Sequence, residues 1–280
     1  MKQRSWIAVG LLSLAALLTL APFVWLFCAS LKTNEHFFGS TLLPLREQGL
    51  GIDWSKLSFE NYRRLFQELD FARALANSVF LSSVTGLLAT FCCAAGGYAL
   101  ARFHFRGRGL VTACVLGAML VPAPLLLAPG YQLLHSIGLL DSLAGLVIPA
   151  IAPAFGIFLF RQASLSSVPV ELLEAARIDG CSEFRTFTIV ALPLIRPMIG
   201  TFLMMTFLGV WNNFITPQVV LQSPERFPLS VAVAQFRGVY YQDYGLQMAG
   251  TVIGVIPVLI LFLALQREFV SGLTSGALKG

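Results

Sequence analysis

Long apolar stretches without a single charge alternate along this chain with short segments where charges crowd together. Six stretches contain no Asp, Glu, Lys or Arg: Trp6–Leu31, Ala74–Ala101, Leu110–Leu134, Ser142–Phe160, Met198–Ser223 and Tyr244–Gln266. About 20 apolar residues rising ~1.5 Å each cover the ~30 Å of bilayer hydrocarbon, so each stretch is long enough to cross as a helix. The pattern predicts an all-α integral membrane protein of six transmembrane helices, one domain over residues 1–280, with no convincing internal repeat. The first stretch follows Lys2 and Arg4, as a signal peptide would. Its 26 residues exceed a signal's apolar segment and no small-x-small site closes it, so it reads as a retained first helix.

Composition supports the same class. Hydrophobic residues make up 56% of the 280 and charged residues 12%, about half the ~25% of globular chains, which is more apolar surface than a soluble fold can hide. Of the 33 charged residues, 11 lie in 32–71 and 8 in 161–196. The net charge of +5 is the arginine and lysine of membrane loops rather than a nucleic-acid surface, because such residues set orientation. With the N-terminus in the cytoplasm, the inner segments hold 11 basic residues against 5 acids, among them Lys2, Arg4, Arg102, Arg106, Arg108 and Lys279, and the outer segments hold 8 against 9. Both termini are therefore expected on the cytoplasmic side. The five cysteines show neither metal-ligand spacing nor a disulfide framework.

Two loops are long enough to fold. In the outer one, Ser58 suits the cap of a short helix whose Phe59, Tyr62, Phe66 and Leu69 share a face, predicting a helix lying on the membrane with Arg63 and Arg64 among the headgroups. The cytoplasmic one runs over 167–193. There Pro169 and Glu171 suit a first helical turn, and Gly180 suits the left-handed residue that ends the helix. Ser182 suits the cap of a second helix that Pro193 stops near Leu192. Ala175 and Ala176 are expected to give a flat face for close approach, with Glu174 and Arg177 on one exposed side. The plainer alternative is a charged surface loop.

The spans carry no acid or base, which argues against an ion-coupled transporter, and Ser82-Ser83 has no His or acid at membrane depth to activate a hydroxyl. No catalytic constellation is present, so the chain is not expected to be an enzyme. The third span holds Pro122, Pro124 and Pro129 and should be bent beside protein or a water-filled cavity. In the fifth, Trp211 can stack on a hydroxyl-rich solute while Asn212 and Asn213 bond it. Equally, those amides can join neighbouring helices. Gly250 and Gly254 fit close helix packing.

The loop residues Glu174-Ala175-Ala176, then Gly180, then Leu192-Pro193, resemble the EAA loop of binding-protein-dependent ABC import permeases. Tyr98-Ala-Leu-Ala-Arg-Phe103, Phe207-Leu-Gly-Val-Trp-Asn-Asn-Phe214, Asn77-Ser78, Tyr244–Gly250 and Gly272–Gly280 are similar to the maltose and glycerol-3-phosphate type of sugar permease. The resemblance implies the type I importer permease fold in a bacterial or archaeal cytoplasmic membrane. It implies a heterodimer with a second permease, surrounded by membrane lipid, and an ATPase dimer engaged through Glu171, Glu174, Ala175, Ala176, Arg177, Asp179 and Gly180. It also implies an extracytoplasmic binding protein that delivers a sugar. No Gly-x4-Gly-Lys-[Ser/Thr] loop occurs here, so ATP and Mg would sit in the partner ATPase. A stand-alone channel or facilitator for small polar solutes is the alternative, and it leaves the loop unexplained.

Overall fold

The computed structural model describes residues 2–45, 51–236 and 243–277. Met1, Arg46, Glu47, Arg237 and Lys279, and with Lys279 the end of the Gly272–Gly280 stretch, lie outside the described residues. Among the described residues the fold is helical, without strands, and only the isolated bridges Lys32–Leu57 and Leu45–Ile52 pair extended backbone. The helices are α1 (Lys2–Ser30), α2 (Glu60–Gln67), α3 (Phe71–Arg102), α4 (Arg108–Ala118), α5 (Leu127–Ser136), α6 (Leu143–Val147), α7 (Ala154–Ser167), α8 (Val170–Ile178), α9 (Glu183–Thr186), α10 (Leu192–Leu194), α11 (Arg196–Trp211), α12 (Ile215–Val220), α13 (Leu229–Gln235) and α14 (Tyr244–Ala277). Four helical stretches among them are long and apolar enough to cross a membrane: Trp6–Ser30, Phe71–Arg102, Leu143–Ser167 and Tyr244–Gln266. The count reaches 6 if each of two bent pairs, Arg108–Ala118 with Ala123–Ser136 and Glu183–Leu194 with Arg196–Trp211, is one span.

The chain divides into two compact units, Met1–Leu75 with Val231–Pro257 and Ala76–Ser230 with Val258–Gly280. In the first, polar groups converge where α14 begins. Asn61 donates to the carbonyls of Ser30 and Lys32, 2.8 Å each. Gly245 packs against the same place, where a Cβ would meet the Lys32 oxygen at 2.5 Å and the Asn61 amide nitrogen at 2.6 Å. Asp243 caps α14 by accepting from the Leu246 N–H at 3.0 Å and takes Arg64 at 2.7 Å. Arg64 is thus drawn to Asp243 rather than to headgroups. Ser58 accepts from Glu60 N–H at 3.0 Å but stands one residue ahead of the cap position, which Phe59 takes without a side-chain cap, and the buried stripe is Asn61 and Leu65 while Phe59 and Phe66 stay exposed. Gly250 lies close to Phe71 and Val233, 3.2 and 3.3 Å from where its Cβ would stand.

The second unit is organised by α3. Its Ala89, Cys93, Ala94 and Tyr98 are buried with Phe160, Ala163, Leu173, Phe187, Ala191 and Phe202. Small residues let helix backbones touch, the means of helix association in lipid, where burial alone gives little drive. At Gly97 an added Cβ would lie 2.6 Å from Arg161 N and 2.7 Å from the Phe160 carbonyl carbon. The third span is broken rather than bent: α4 and α5 meet at 101°. Pro122 precedes the 3-10 turn Ala123–Leu126, Pro124 sits inside it and Pro129 lies in the first turn of α5, positions where a missing N–H costs nothing. The run from Met198 to Ser223 is also interrupted. The 16 residues of α11 end at Trp211, and Asn213 accepts from Thr216 N–H at 3.2 Å to start α12. Asparagine side chains compete with the backbone for hydrogen bonds, which is why the helix stops at the amides.

Candidate functional site

The 167–193 loop folds as a braced knuckle. Gly180 takes φ +80°, and the N–H of Cys181 reaches back to Ala176 O at 2.9 Å while that of Gly180 reaches Arg177 O at 3.0 Å, the six-to-one and five-to-two closure that a left-handed glycine permits. Ser182 accepts from Arg185 N–H at 3.3 Å and opens α9. The Arg177 guanidinium grips Glu183 with two bonds, 2.7 and 3.2 Å, tying α8 to α9, and these bonds raise its pKa above the ordinary guanidinium value. Glu171, Glu174, Ala175, Arg177, Asp179 and Gly180 are exposed, whereas Ala176 is buried with Leu173. The two alanines therefore do not form one flat face, since adjacent helical residues point about 100° apart. The outward apolar tip is instead Ile178, 87% exposed, and Phe184, 66% exposed.

Beyond α9 the chain does not stop before Pro193. A π turn over Phe187–Ala191 widens the helix ahead of the proline, α10 runs to Leu194, and the break to α11 falls at Ile195 with an 83° bend. The widened turn removes the clash between the proline ring and the carbonyl four residues back. The base of the knuckle is held by α3. Arg102 donates to Ser164 O at 2.6 Å and to Val168 O, capping the last carbonyls of α7 just before Pro169. Arg108 does the same for α3, donating to Leu100 O at 2.9 Å. Two residues read from sequence as orientation anchors are thus helix-end clamps. Tyr98 lies against Phe187, ring centroids 5.2 Å apart.

A cavity of about 430 Å³ occupies the other half of α3's length. Ser78, Ser82 and Thr85 of α3 line it together with Tyr131, Asn213 and Thr216, amid leucines of α5 and α6, Val210 of α11, Pro217 and Val220 of α12, and Ala123 and Ala150 of the neighbouring 3-10 turns. The sequence-predicted trio separates here. Asn213 faces the cavity. Trp211 does not line it and is buried, stacked on Phe207 at 5.6 Å and 12°. Asn212 is exposed and bonds its own helix, donating to Leu208 O at 3.0 Å. Sequence reasoning missed Ser82, Thr85, Tyr131 and Thr216. Ser78, Ser82 and Thr85 recur at i, i+4 and i+7, one face of a helix, which is the signal that would have found three of the cavity's hydroxyls.

Loops fix the rim. Ser78 accepts from Leu229 N–H at 2.7 Å and Asn77 donates to Glu225 O at 2.9 Å. Asp141, at φ +51°, accepts from the N–H groups of Gln222 and Ser223 at 3.0 Å each and from Arg226 at 2.6 Å. The Ser223 hydroxyl donates to it at 2.5 Å. That hydroxyl, then the two backbone donors and Arg226, hold the Asp141 carboxyl down at about 2. No group of three His, Cys, Asp or Glu is placed to hold a metal among the described residues.

An all-helical membrane protein with an uncharged cavity along one helix, and a knuckle clamped to that helix's far end, has the architecture of an importer permease of type I. A solved bacterial ABC transporter involved in the import of the acidic polysaccharide alginate contains a chain that matches with a TM-score of 0.80 at 24% identity, over 96% of this chain and 97% of that one. Residues 71–272 match the family described as binding-protein-dependent transport system inner membrane component, and the chain belongs to that family. It is 35% identical to the arabinooligosaccharides transport system permease protein AraQ of Bacillus subtilis (strain 168), over 95% of this chain and 92% of that one. It is 31% identical to the lactose transport system permease protein LacG of Rhizobium radiobacter, over 94% and 93%.

Proposed function

We propose that this chain is the permease subunit of an ATP-driven, binding-protein-dependent importer for a sugar or related polyol. In this reading it is one domain, pairs with a second, different permease in a bacterial or archaeal cytoplasmic membrane, and keeps both termini in the cytoplasm. It catalyses nothing itself; ATP and Mg belong to an ATPase dimer. The permeases named above for arabinooligosaccharides and lactose support the sugar class. The observation that carries the coupling role is the knuckle, whose exposed Ile178 and Phe184 are held rigid by Gly180 and the Arg177–Glu183 clasp.

In this account α8 seats in a groove of the ATPase. Glu171, Glu174, Ala175 and Arg177 meet it, Asp179 and Gly180 form the turn, and Ala176 acts from below by packing α8 onto its base. Movement of the ATPase dimer on ATP shifts the knuckle as a unit, and Arg102 passes the shift to α3. At ~1.5 Å per residue, the 20 residues from Arg102 back to Ser82 carry it about 30 Å to the cavity. Two states of one packed element, each favoured by a different nucleotide state, are what coupling requires. Asn213 meets the solute from the cavity wall, while Trp211 and Asn212 shape that path by ending α11.

Affinity purification of the tagged chain in mild detergent tests this. A second six-span permease and an ATPase should co-purify, and Ile178→Asp should retain the permease but lose the ATPase. Recovery of the chain alone under gentle conditions favours the channel or facilitator reading instead.

A further inference from the structure

The cavity's chemistry goes further than a path through the membrane. Among the described residues, none that lines it is Asp, Glu, Lys, Arg or His. Its polar side chains end in hydroxyls and one amide, groups that both donate and accept, set in apolar walls with the ring of Tyr131 among them. Its volume of about 430 Å³ lies within the range of small-molecule sites, ~300–1,000 Å³. Ser82 gives the second, independent sign of a ligand. It is fully buried, lines the cavity, and its hydroxyl has no hydrogen-bond partner among the described residues. A buried hydroxyl is normally paired, because leaving it unpaired in an apolar surrounding is costly.

We infer that this cavity is a selectivity site for one neutral saccharide unit, in which Ser82, Thr85, Asn213 and Thr216 bond its hydroxyls and Tyr131 lies against its C–H face. A saccharide hydroxyl also both donates and accepts, so it can complete Ser82 in either sense. A carboxylate or phosphate would need a guanidinium or ammonium to offset its desolvation, and this wall supplies none. The inference rests on the sugar-importer reading and adds where, within this subunit, sugars are told apart and of what charge they are.

The test uses the whole importer in proteoliposomes: this chain with its partner permease, ATPase and binding protein. Uptake of arabinotriose, lactose and trehalose, of a monodeoxy analogue of each, and of digalacturonate is measured for wild type, Ser82→Ala, Thr85→Val and Thr216→Val. The binding protein is common to all preparations, so its selectivity cancels when a variant is divided by wild type for the same probe. The expected result is import of a neutral probe, exclusion of digalacturonate, and probe-dependent losses of about three- to tenfold in kcat/KM, smaller for the deoxy analogue that lacks the partner hydroxyl. Equal losses for every probe, no loss at all, or import of digalacturonate alone would overturn the inference while leaving the importer standing. A wild-type complex that imports no saccharide, and whose ATP hydrolysis no saccharide stimulates, removes the importer reading and this inference with it.

Discussion

Adjacent glycines on α3 give a sharp test of the packing. At Gly97 an added Cβ would stand 2.6 Å from Arg161 N and 2.7 Å from the Phe160 carbonyl carbon, against 3.4–4 Å for ordinary contact. The obstruction is backbone, so α3 and α7 must part by about 0.8 Å, a gap that forfeits a quarter to a half of the dispersion energy of each contact it opens. Overpacking of this kind costs about 1–3 kcal/mol, partly offset by the ~1 kcal/mol that alanine gains over glycine in a helix. One residue earlier, at Gly96, the added Cβ would rest 3.8 Å from Ile157 side-chain carbons, where nothing has to move. Gly96→Ala should therefore be neutral or stabilising and Gly97→Ala destabilising, a difference of about 2 kcal/mol. In thermal unfolding of the purified protein that separates the two midpoints by roughly 4–8 °C. Equal midpoints for the two variants would refute the backbone contact at Gly97.

Three further outcomes follow from the site. Gly180→Val, which forces a β-branched residue into φ +80°, should leave the complex assembled but strip sugar-stimulated ATP hydrolysis and uptake, and normal uptake would count against the role of the turn. Arg102→Lys offers one ammonium to two carbonyls, so it should lose about 1–3 kcal/mol of stability and lower the number of sugars moved per ATP. An unchanged ratio would leave Arg102 a topology anchor only. Asp141 is held near 2, below its unfolded value of ~3.9, so its stabilisation is full above that value and fades as pH falls toward 2. Asp141→Asn should thus be less stable than wild type at pH 7, with the gap closing between pH 4 and 2, and a gap independent of pH would contradict the clasp.

Much of the architecture was legible because a bilayer imposes length and polarity so strictly. The uncharged runs, Gly180 as a left-handed stop and Ser182 as a cap are local properties of single residues, and local chemistry survives in any fold. The breaks were less legible. Prolines at 122, 124 and 129 predict a bend, but a right-angled turn depends on Pro122 at a cap and Pro124 and Pro129 in first turns acting together. Pro193 reads locally as a stop, and only the π turn before it lets the helix continue. The trio divides, with Asn213 alone at the cavity, for a different reason: Trp211 already has a stacking partner in Phe207, one turn back on its own helix, and Asn212 bonds its own backbone. Arg64 reads as a headgroup residue in the sequence because its partner, Asp243, lies 179 positions away. Contacts of that range leave no trace in periodicity.

Coupled import requires that solute cross only when ATP is spent. Proteoliposomes containing this chain alone, this chain with the partner permease, and the full assembly with ATPase and binding protein should be compared for uptake of labelled neutral oligosaccharides. Accumulation against a gradient in the full assembly, with ATP present and nowhere else, is the predicted result. Downhill flux through this chain alone, indifferent to ATP and to its partners, would contradict it.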